Sequence, residues 1–265
     1  MPFEVTPAQR AALEAACETL IPALNAPDGG DNGYWNATPK DFDVAQQILD
    51  LMEAQSPTEQ QEFRQLLSLL DAKIAGLLFG GSWTKFREMP LDRRVKFLQN
   101  WMGSRFNLLR KAYATLKKLA MFLHYGGHKN GQNPTWTSNG YAGALGSVAS
   151  PKARIKPLQI TQDSELTCDV VIVGSGAGGG LAAGLLAESG LDVVLLEKGP
   201  FLSGEEFTEH EAEMIRKTYD KQGAFQTKDG GVTIFAGSCL GGGTTINWTG
   251  AFETPDYVLD EWAKD

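Results

Sequence analysis

The run CDVVIVGSGAGG at residues 168–179 constrains this chain more than any other feature of it. Residues 168–173 are apolar except for Asp169 and rich in β-branched side chains, which suits a strand buried on both faces. Gly174, Ser175, Gly176, Ala177, Gly178 and Gly179 then form G-x-G-x-x-G. In that pattern the first glycine permits the tight turn, the second lets a pyrophosphate approach the backbone, and the third lets helix pack on strand. The helix opening here runs through Leu181, Leu185 and Leu186 to a stop at Gly190, its positive end aimed at phosphate. Residues 192–196 read as the second strand, and Glu197 ends it, 18 residues past Gly179. A carboxylate there accepts hydrogen bonds from both ribose hydroxyls of an adenosine. G-x-G-x-x-G alone is weak, but strand, turn, helix, strand and terminal acid in register confirm it as a dinucleotide motif. A glycine-rich turn in an ordinary βαβ unit would leave Glu197 unexplained. The same carboxylate repels a 2′-phosphate, which disfavours NADP.

A second glycine-rich run, GSCLGGGTTINW at 237–248, lies about 40 residues beyond Glu197. Its consecutive glycines bring backbone amides against a flat or anionic ligand, and the following threonines and asparagine supply hydrogen bonds to that ligand's edge. NAD dehydrogenases have no regular need for such a loop. A flavin does, because its isoalloxazine ring lies far from its adenine. FAD is therefore the expected cofactor.

Together the two runs resemble the glucose–methanol–choline (GMC) family of FAD-dependent oxidoreductases. The first resembles that family's ADP-binding motif, and the second its flavin-contacting signature. The GTTINWT segment after a helical region resembles, more narrowly, the long-chain (fatty) alcohol oxidase branch. The helical part is also similar to the small subunit of gluconate dehydrogenases. By position the resemblance implies that Gly174 to Gly179, Glu197 and Lys198 hold the ADP half. It implies that Gly237, Leu240, Gly241, Gly242, Gly243, Thr244, Thr245, Asn247 and Trp248 meet the pyrophosphate and flavin. Ile246 stands where some relatives carry a histidine bonded covalently to the flavin, so non-covalent FAD is expected. The implied reaction oxidises the CH–OH group of a long-chain alcohol by hydride transfer to flavin N5. The family's proton-accepting histidine lies hundreds of residues beyond the signature loop. The expectation is therefore an N-terminal portion with no catalytic residue of its own and no activity alone. The alternative is a non-catalytic dinucleotide-binding or assembly subunit that partners a separate dehydrogenase subunit. An NAD-linked enzyme with a Ser or Tyr acid is a third, weaker reading.

Glycine is divided unevenly, with 7 residues in 1–125 and 23 after that, so the two halves are built by different rules. The first half reads as helices. Thr6-Pro7 with Gln9 and Ser56-Pro57 with Glu59 are capping boxes, and Thr38-Pro39 is a looser one. From Glu62 the apolar residues Phe63, Leu66, Leu67, Leu70, Ile74, Leu77 and Leu78 recur at helical spacing. Helices at about 91–102 and 106–125 follow, the last stopped by Gly126 and Gly127. The expected fold is a partial α/β Rossmann-like FAD-binding domain preceded by an all-α region. Its parts are a helical region at 1–127, a linker at 128–165 pinned by Trp136 and Tyr141, and the FAD-binding part at 166–265. The Asp-rich stretch at 28–33 reads as a polar turn, not a calcium loop. His124 and His128 read as satisfied lone histidines, because two glycines between them break the helix a metal pair would need. His210 follows a Thr208-x-x-Glu211 signal and reads as a solvent-facing helix start. No metal site is expected.

The net charge of −8 argues against a nucleic-acid binder, but the charge is segregated. Residues 85–118 carry ten basic and two acidic side chains, including Lys85, Arg87, Arg93, Arg94 and Lys96. A solvated face pairing with acidic neighbours is the first reading. A docking face for an acidic domain or an anionic membrane surface is the second. Three cysteines without a CxxC fit a reducing compartment. The N-terminus lacks a signal-peptide pattern, and the longest apolar stretch is broken by Asp71 and Lys73, so no transmembrane segment is expected. The expected location is cytoplasmic, with peripheral membrane association left open.

Overall fold

Thr6 and Ser56 each accept a hydrogen bond from the amide three residues on, at 3.2 Å from Gln9 and 3.3 Å from Glu59. The Gln9 and Glu59 side chains answer by accepting from the Thr6 and Ser56 amides at 2.8 and 2.9 Å. These boxes start α1 (Pro7–Leu20) and α4 (Pro57–Leu70). The computed structural model describes residues 3–26, 32–127, 132–142, 155–208, 210–227 and 231–264. Residues 28–31 of the Asp-rich turn, His128, and 128–131 and 143–154 of the expected linker lie outside them. Between and after α1 and α4 come α2 (Asn32–Asn36), α3 (Val44–Glu53), α5 (Lys73–Gly80), α6 (Leu91–Met102), α7 (Asn107–Gly126) and α8 (Pro134–Ser138).

The described residues fall into two compact units. One comprises Met1–Leu158 with Phe201–Ala236, the other Gln159–Pro200 with Gly237–Asp265. The sequence reads 166–265 as one stretch, whereas the chain leaves the second unit at Phe201 and returns at Gly237.

The first unit is helical and is organised around α1, whose two faces differ in size. Leu13 and Cys17 pack into a cluster with Ile48 and Leu49 of α3, Phe63 and Leu67 of α4, and Leu116 and Leu123 of α7. Ala12, Ala15 and Ala16 admit the bulkier Phe97, Leu98 and Trp101 of α6 with Leu109 of α7. Each such large side chain, fully buried, contributes about 1.5–3 kcal/mol. Burial, with Glu14 and Glu18 nearby, pushes the Cys17 thiol up to about 12, so it behaves as an inert apolar group.

The apolar spacing from Phe63 to Leu78 predicts one helix, but the structure has two. Asp71 caps α4, and its carboxylate pairs with Arg87, so the chain turns at Ala72 before α5 begins. Residues 201–236 add α10 (Glu211–Thr218) and a turn at Asp220–Gly223. In that turn Lys221 and Gln222 hold φ of 48° and 55°. Lys221 is gripped there by Glu59 at 2.9 Å, while Gln55 donates to its carbonyl at 3.3 Å. Burial opposes ionisation of Glu59, yet hydrogen bonds from Ser56 and Lys221 prevail and hold its carboxyl at about 2. His210 is not a solvent-facing start capped by Thr208. It is itself the N-cap of α10 and stacks on Trp136 with ring centroids 6.2 Å apart. Trp136 also donates to the Tyr125 carbonyl at 2.7 Å and meets the Tyr141 ring edge-on.

The second unit holds β1 (Val170–Val173), α9 (Ala177–Glu188), β2 (Val193–Leu196), a one-turn helix α11 (Gly243–Ile246) and α12 (Asp256–Trp262). The two strands run parallel, with Val170 beside Val193 and Val173 beside Leu196. This is a two-stranded parallel sheet with its crossover helix, not a complete Rossmann sheet among the described residues. The expected burial of the first strand on both faces is not found. Ile172 faces α9 across Gly179, whereas Val171 and Val173 alternate onto the other face, and Val173 is 82% exposed. One helix covers one face of a sheet and leaves the other open.

Candidate dinucleotide site

β1 ends where Gly174 takes φ 94°, a conformation that side-chain-bearing residues rarely adopt. The turn sends the chain into α9 with Gly176 as its N-cap. A Cβ on Gly179 would stand 1.9 Å from the Gly174 carbonyl oxygen, so only glycine lets α9 start this close to β1. Gly176 is the opposite case. A Cβ there would meet nothing within 4 Å, which leaves the backbone open to an approaching group. The first intrahelical bond runs from the Gly180 amide to the Gly176 carbonyl. The amides of Ala177, Gly178 and Gly179 therefore have no acceptor within the helix, and its dipole favours an anion there.

Glu197 leaves the end of β2 and reaches back to this turn. One carboxylate oxygen accepts from the Ser175 amide at 2.9 Å and the Ser175 hydroxyl at 2.6 Å. The other accepts from the Gly199 amide at 2.9 Å. Partial burial disfavours the charge, but these donors outweigh it and hold the carboxyl below its ordinary range. The Lys198 amide donates to the same carboxylate, and with about four lone-pair sites in all a ligand hydroxyl enters by replacing or sharing one of these donors.

Ser175 extends the network. It is buried, and its hydroxyl oxygen accepts from the Gly241 amide at 2.8 Å. One side chain thus joins the first glycine-rich run, the acid after β2 and the second glycine-rich run. The second run is folded backbone on backbone. A Cβ on Gly237 would lie 2.3 Å from the Gly242 carbonyl carbon, and one on Gly242 would lie 3.2 Å from the Gly176 Cα. Gly241 and Gly242 hold φ of 89° and 54°. The loop therefore rests beside the open backbone of Gly176.

The structure brings Gly174 to Gly179, Glu197, Gly237 and Gly241 to Gly243 together. Leu240 is tied to the Pro200 carbonyl through its amide at 3.0 Å. Thr244, Thr245 and Asn247 sit just past the loop and are exposed, with the polar groups of two of them bonded to the segment's own carbonyls. The Thr245 hydroxyl donates to the Leu240 carbonyl at 2.7 Å, and the Asn247 amide group donates to the Thr244 carbonyl at 2.5 Å. Lys198 and Trp248 are exposed. Sequence reasoning missed Gly199, where a Cβ would stand 2.3 Å from the Ser238 backbone, and Cys239, buried as the loop's anchor. The Gly199-Pro200 pair, one residue past the acid, is a local signal for the first.

The NAD(P)-binding Rossmann-like domain family model matches residues 172–238. The GMC oxidoreductase family model matches residues 215–265. The long-chain-alcohol oxidase FAO3 of Arabidopsis thaliana is 29% identical over 99% of this chain and 42% of its own length. FAO1 of the same plant is 31% identical over 68% of this chain and 28% of its own. The chain belongs to the GMC oxidoreductase family. An uncharacterised GMC-type oxidoreductase of Sinorhizobium fredii, y4nJ, is 32% identical over 40% of this chain. No solved structure matches this chain. The chain spans about two-fifths of the length of FAO3.

The remaining candidate groups of this GMC-family chain lie outside the site just described. The Tyr-x-x-x-Lys spacing of an NAD-linked tyrosine acid occurs at Tyr113 with Lys117 on α7, in the helical unit. It occurs again at Tyr125 with Lys129, and Lys129 lies outside the described residues. His124 is buried, and its Nδ1 has no hydrogen-bond partner among the described residues, so it is not the satisfied histidine expected. Among the described residues no three His, Cys, Asp or Glu side chains are grouped to hold a metal, and no helix is long and apolar enough to cross a membrane.

Proposed function

We propose that this chain supplies the ADP-binding half and part of the flavin-binding wall of an FAD-dependent oxidoreductase acting on long-chain alcohols. The observation that supports it is the Ser175 network, which ties Glu197 and the Gly241–Gly243 turn to the Gly174–Gly179 run beside the open backbone of Gly176. Glu197 accepts from the ribose hydroxyls in place of some of the donors it holds without a ligand. The amides of Ala177, Gly178 and Gly179 face the pyrophosphate, and the lack of a Cβ at Gly176 lets it settle on the backbone. Gly241 to Gly243, which lie beside Gly176, continue the wall toward the flavin, with Thr244, Thr245 and Asn247 beyond. When bound, the flavin supplies a hydride acceptor at N5 for the carbinol carbon of the alcohol. Ile246 has no group that bonds to a flavin carbon, so the cofactor is held without a covalent link. The residue that removes the alcohol proton is not among those at this site, and neither His124 nor His210 belongs to that unit. Substrate class comes from the likeness to the plant oxidases, whose names state long-chain alcohols.

Titration with FAD, ADP and FMN tests this reading through quenching of flavin fluorescence. ADP should compete with FAD and FMN should not, and Glu197→Gln should weaken FAD and ADP alike by roughly tenfold, the loss of a charge-assisted hydrogen bond. FMN binding as well as FAD, or Glu197→Gln binding FAD undiminished, would overturn it.

A further inference from the structure

Helix α5 turns three of its four large side chains outward. Its sequence, KIAGLLFG, buries its small residues Ala75, Gly76 and Gly80 and packs Phe79 against Phe97 and Trp101, but exposes its three large aliphatics. Ile74 is 50% exposed, Leu77 47%, Leu78 67%, and Trp83 just beyond the helix 58%. The glycines explain how. A Cβ on Gly76 would stand 2.0 Å from the Thr84 carbonyl oxygen, and one on Gly80 would stand 2.8 Å from the Met89 sulfur. The chain after α5 crosses its back at backbone distance, so the Gly76 and Gly80 positions have no room for a large residue. Ile74, Leu77 and Leu78, spaced i, i+3 and i+4, form an outward apolar stripe instead. A helix that serves only the core of its own unit places these residues the other way round.

The surroundings of the stripe are basic. Lys73 opens the helix. Arg93 donates to the Gly81 carbonyl at 3.2 Å and Asn100 to the Phe79 carbonyl at 2.7 Å, so this face of α6 runs along the C-terminal end of α5. Lys96, between them at i+3 from Arg93, lies on the same face and is exposed. Arg87 and Arg94 pair with Asp71 and Glu18, which satisfies part of the basic block, but neither Arg93 nor Lys96 is in an ion pair among the described residues. These cations stand in a chain of net charge −8.

We infer that the α5 face docks on an anionic lipid bilayer. Ile74, Leu77, Leu78 and Trp83 enter the headgroup–acyl boundary, and Lys73, Arg93 and Lys96 stay at the phosphates. Three features favour a bilayer over a protein: exposed aliphatics followed by an exposed tryptophan, cations around them, and a helix of about 12 Å that lies flat because it is too short to span. This inference does not depend on the cofactor site, since the face lies in the helical unit.

Flotation of the chain with vesicles of phosphatidylcholine, with or without phosphatidylserine, tests it. The chain should float with the phosphatidylserine vesicles and release at high salt. Leu77→Ser combined with Leu78→Ser should cut binding roughly tenfold or more with an unchanged circular dichroism spectrum, because both residues are already exposed. Lys96→Glu should weaken it through charge alone. Bromine-labelled acyl chains should quench tryptophan emission in the wild type and less in Trp83→Leu. Three results would overturn it: no flotation of the folded chain, equal flotation with both vesicle types, or a dimer that the double serine variant abolishes while vesicle binding persists.

Discussion

A methyl group on Gly179 would collide with the Gly174 carbonyl oxygen at 1.9 Å, whereas one on Gly178 would meet nothing within 4 Å. Alanine at these neighbouring positions should therefore act in opposite directions. Gly178→Ala removes backbone freedom from a helical residue and should stabilise α9 by up to about 1 kcal/mol. Gly179→Ala must push α9 off β1 and should open that contact. Amide hydrogen exchange over β1 reads both, with protection rising in the first variant and falling in the second. Equal protection in the two variants would contradict the packing role given to Gly179. The turn and packing roles of Gly174 and Gly179 are legible from sequence because they are local, set by a strand and helix only a few residues apart. The pressing of Gly199 on Ser238 is not, because it joins backbone segments about 40 residues apart and leaves no periodic trace. Ser175 lies between these cases. Its place in the glycine run marks it, but nothing local says that its hydroxyl holds Gly241.

Caps made the helices legible, and long-range partners made the exceptions. A capping box lies within four residues, so α1 and α4 begin where their Thr-Pro and Ser-Pro signals place them. The break after α4 depends on Arg87, 16 residues on, and the exposure of one β1 face depends on how many elements cover the sheet. Neither is written in local spacing. The Ser56 cap also has a consequence at the level of elements. Its hydroxyl donates to the Glu59 carboxylate at 2.6 Å, and that carboxylate grips Lys221 in the turn after α10. Ser56→Ala should cost about 1–2 kcal/mol, while Thr6→Ala, whose partner Gln9 carries no charge, should cost about 0.5–1 kcal/mol. Urea unfolding followed by far-UV circular dichroism compares the two. A larger loss in Thr6→Ala would detach Glu59 and Lys221 from the account.

At the scale of the whole molecule, acid should weaken the helical unit in two adjoining steps. His124 is sealed among Phe42, Tyr125 and the end of α7, with ring centroids 5.0 and 4.7 Å from its own, and Asn133 donates to its carbonyl. Burial pulls its pKa down from 6.5 to about 4, against the opposing pull of Asp41, the one charged group that acts on it appreciably. The unfolded chain therefore takes up a proton below pH 6.5 that the folded chain refuses until about 4. Stability is full above pH 6.5 and falls toward pH 4, by at most roughly 3 kcal/mol. Glu59 carries the loss further. Its carboxyl sits at about 2 when folded against 4.5 ordinarily, so its grip on Ser56 and Lys221 is complete above 4.5 and is lost as pH falls toward 2. The two groups belong to different elements, so a substitution separates them. His124→Met keeps the volume apolar and removes the proton site. Between pH 7 and 5 the wild-type urea midpoint should fall and that of His124→Met should stay level. Below pH 4 both should fall together through Glu59. A parallel decline of the two proteins from pH 7 downward would mean that His124 does not set the upper step, and that the first proton enters the helical unit elsewhere.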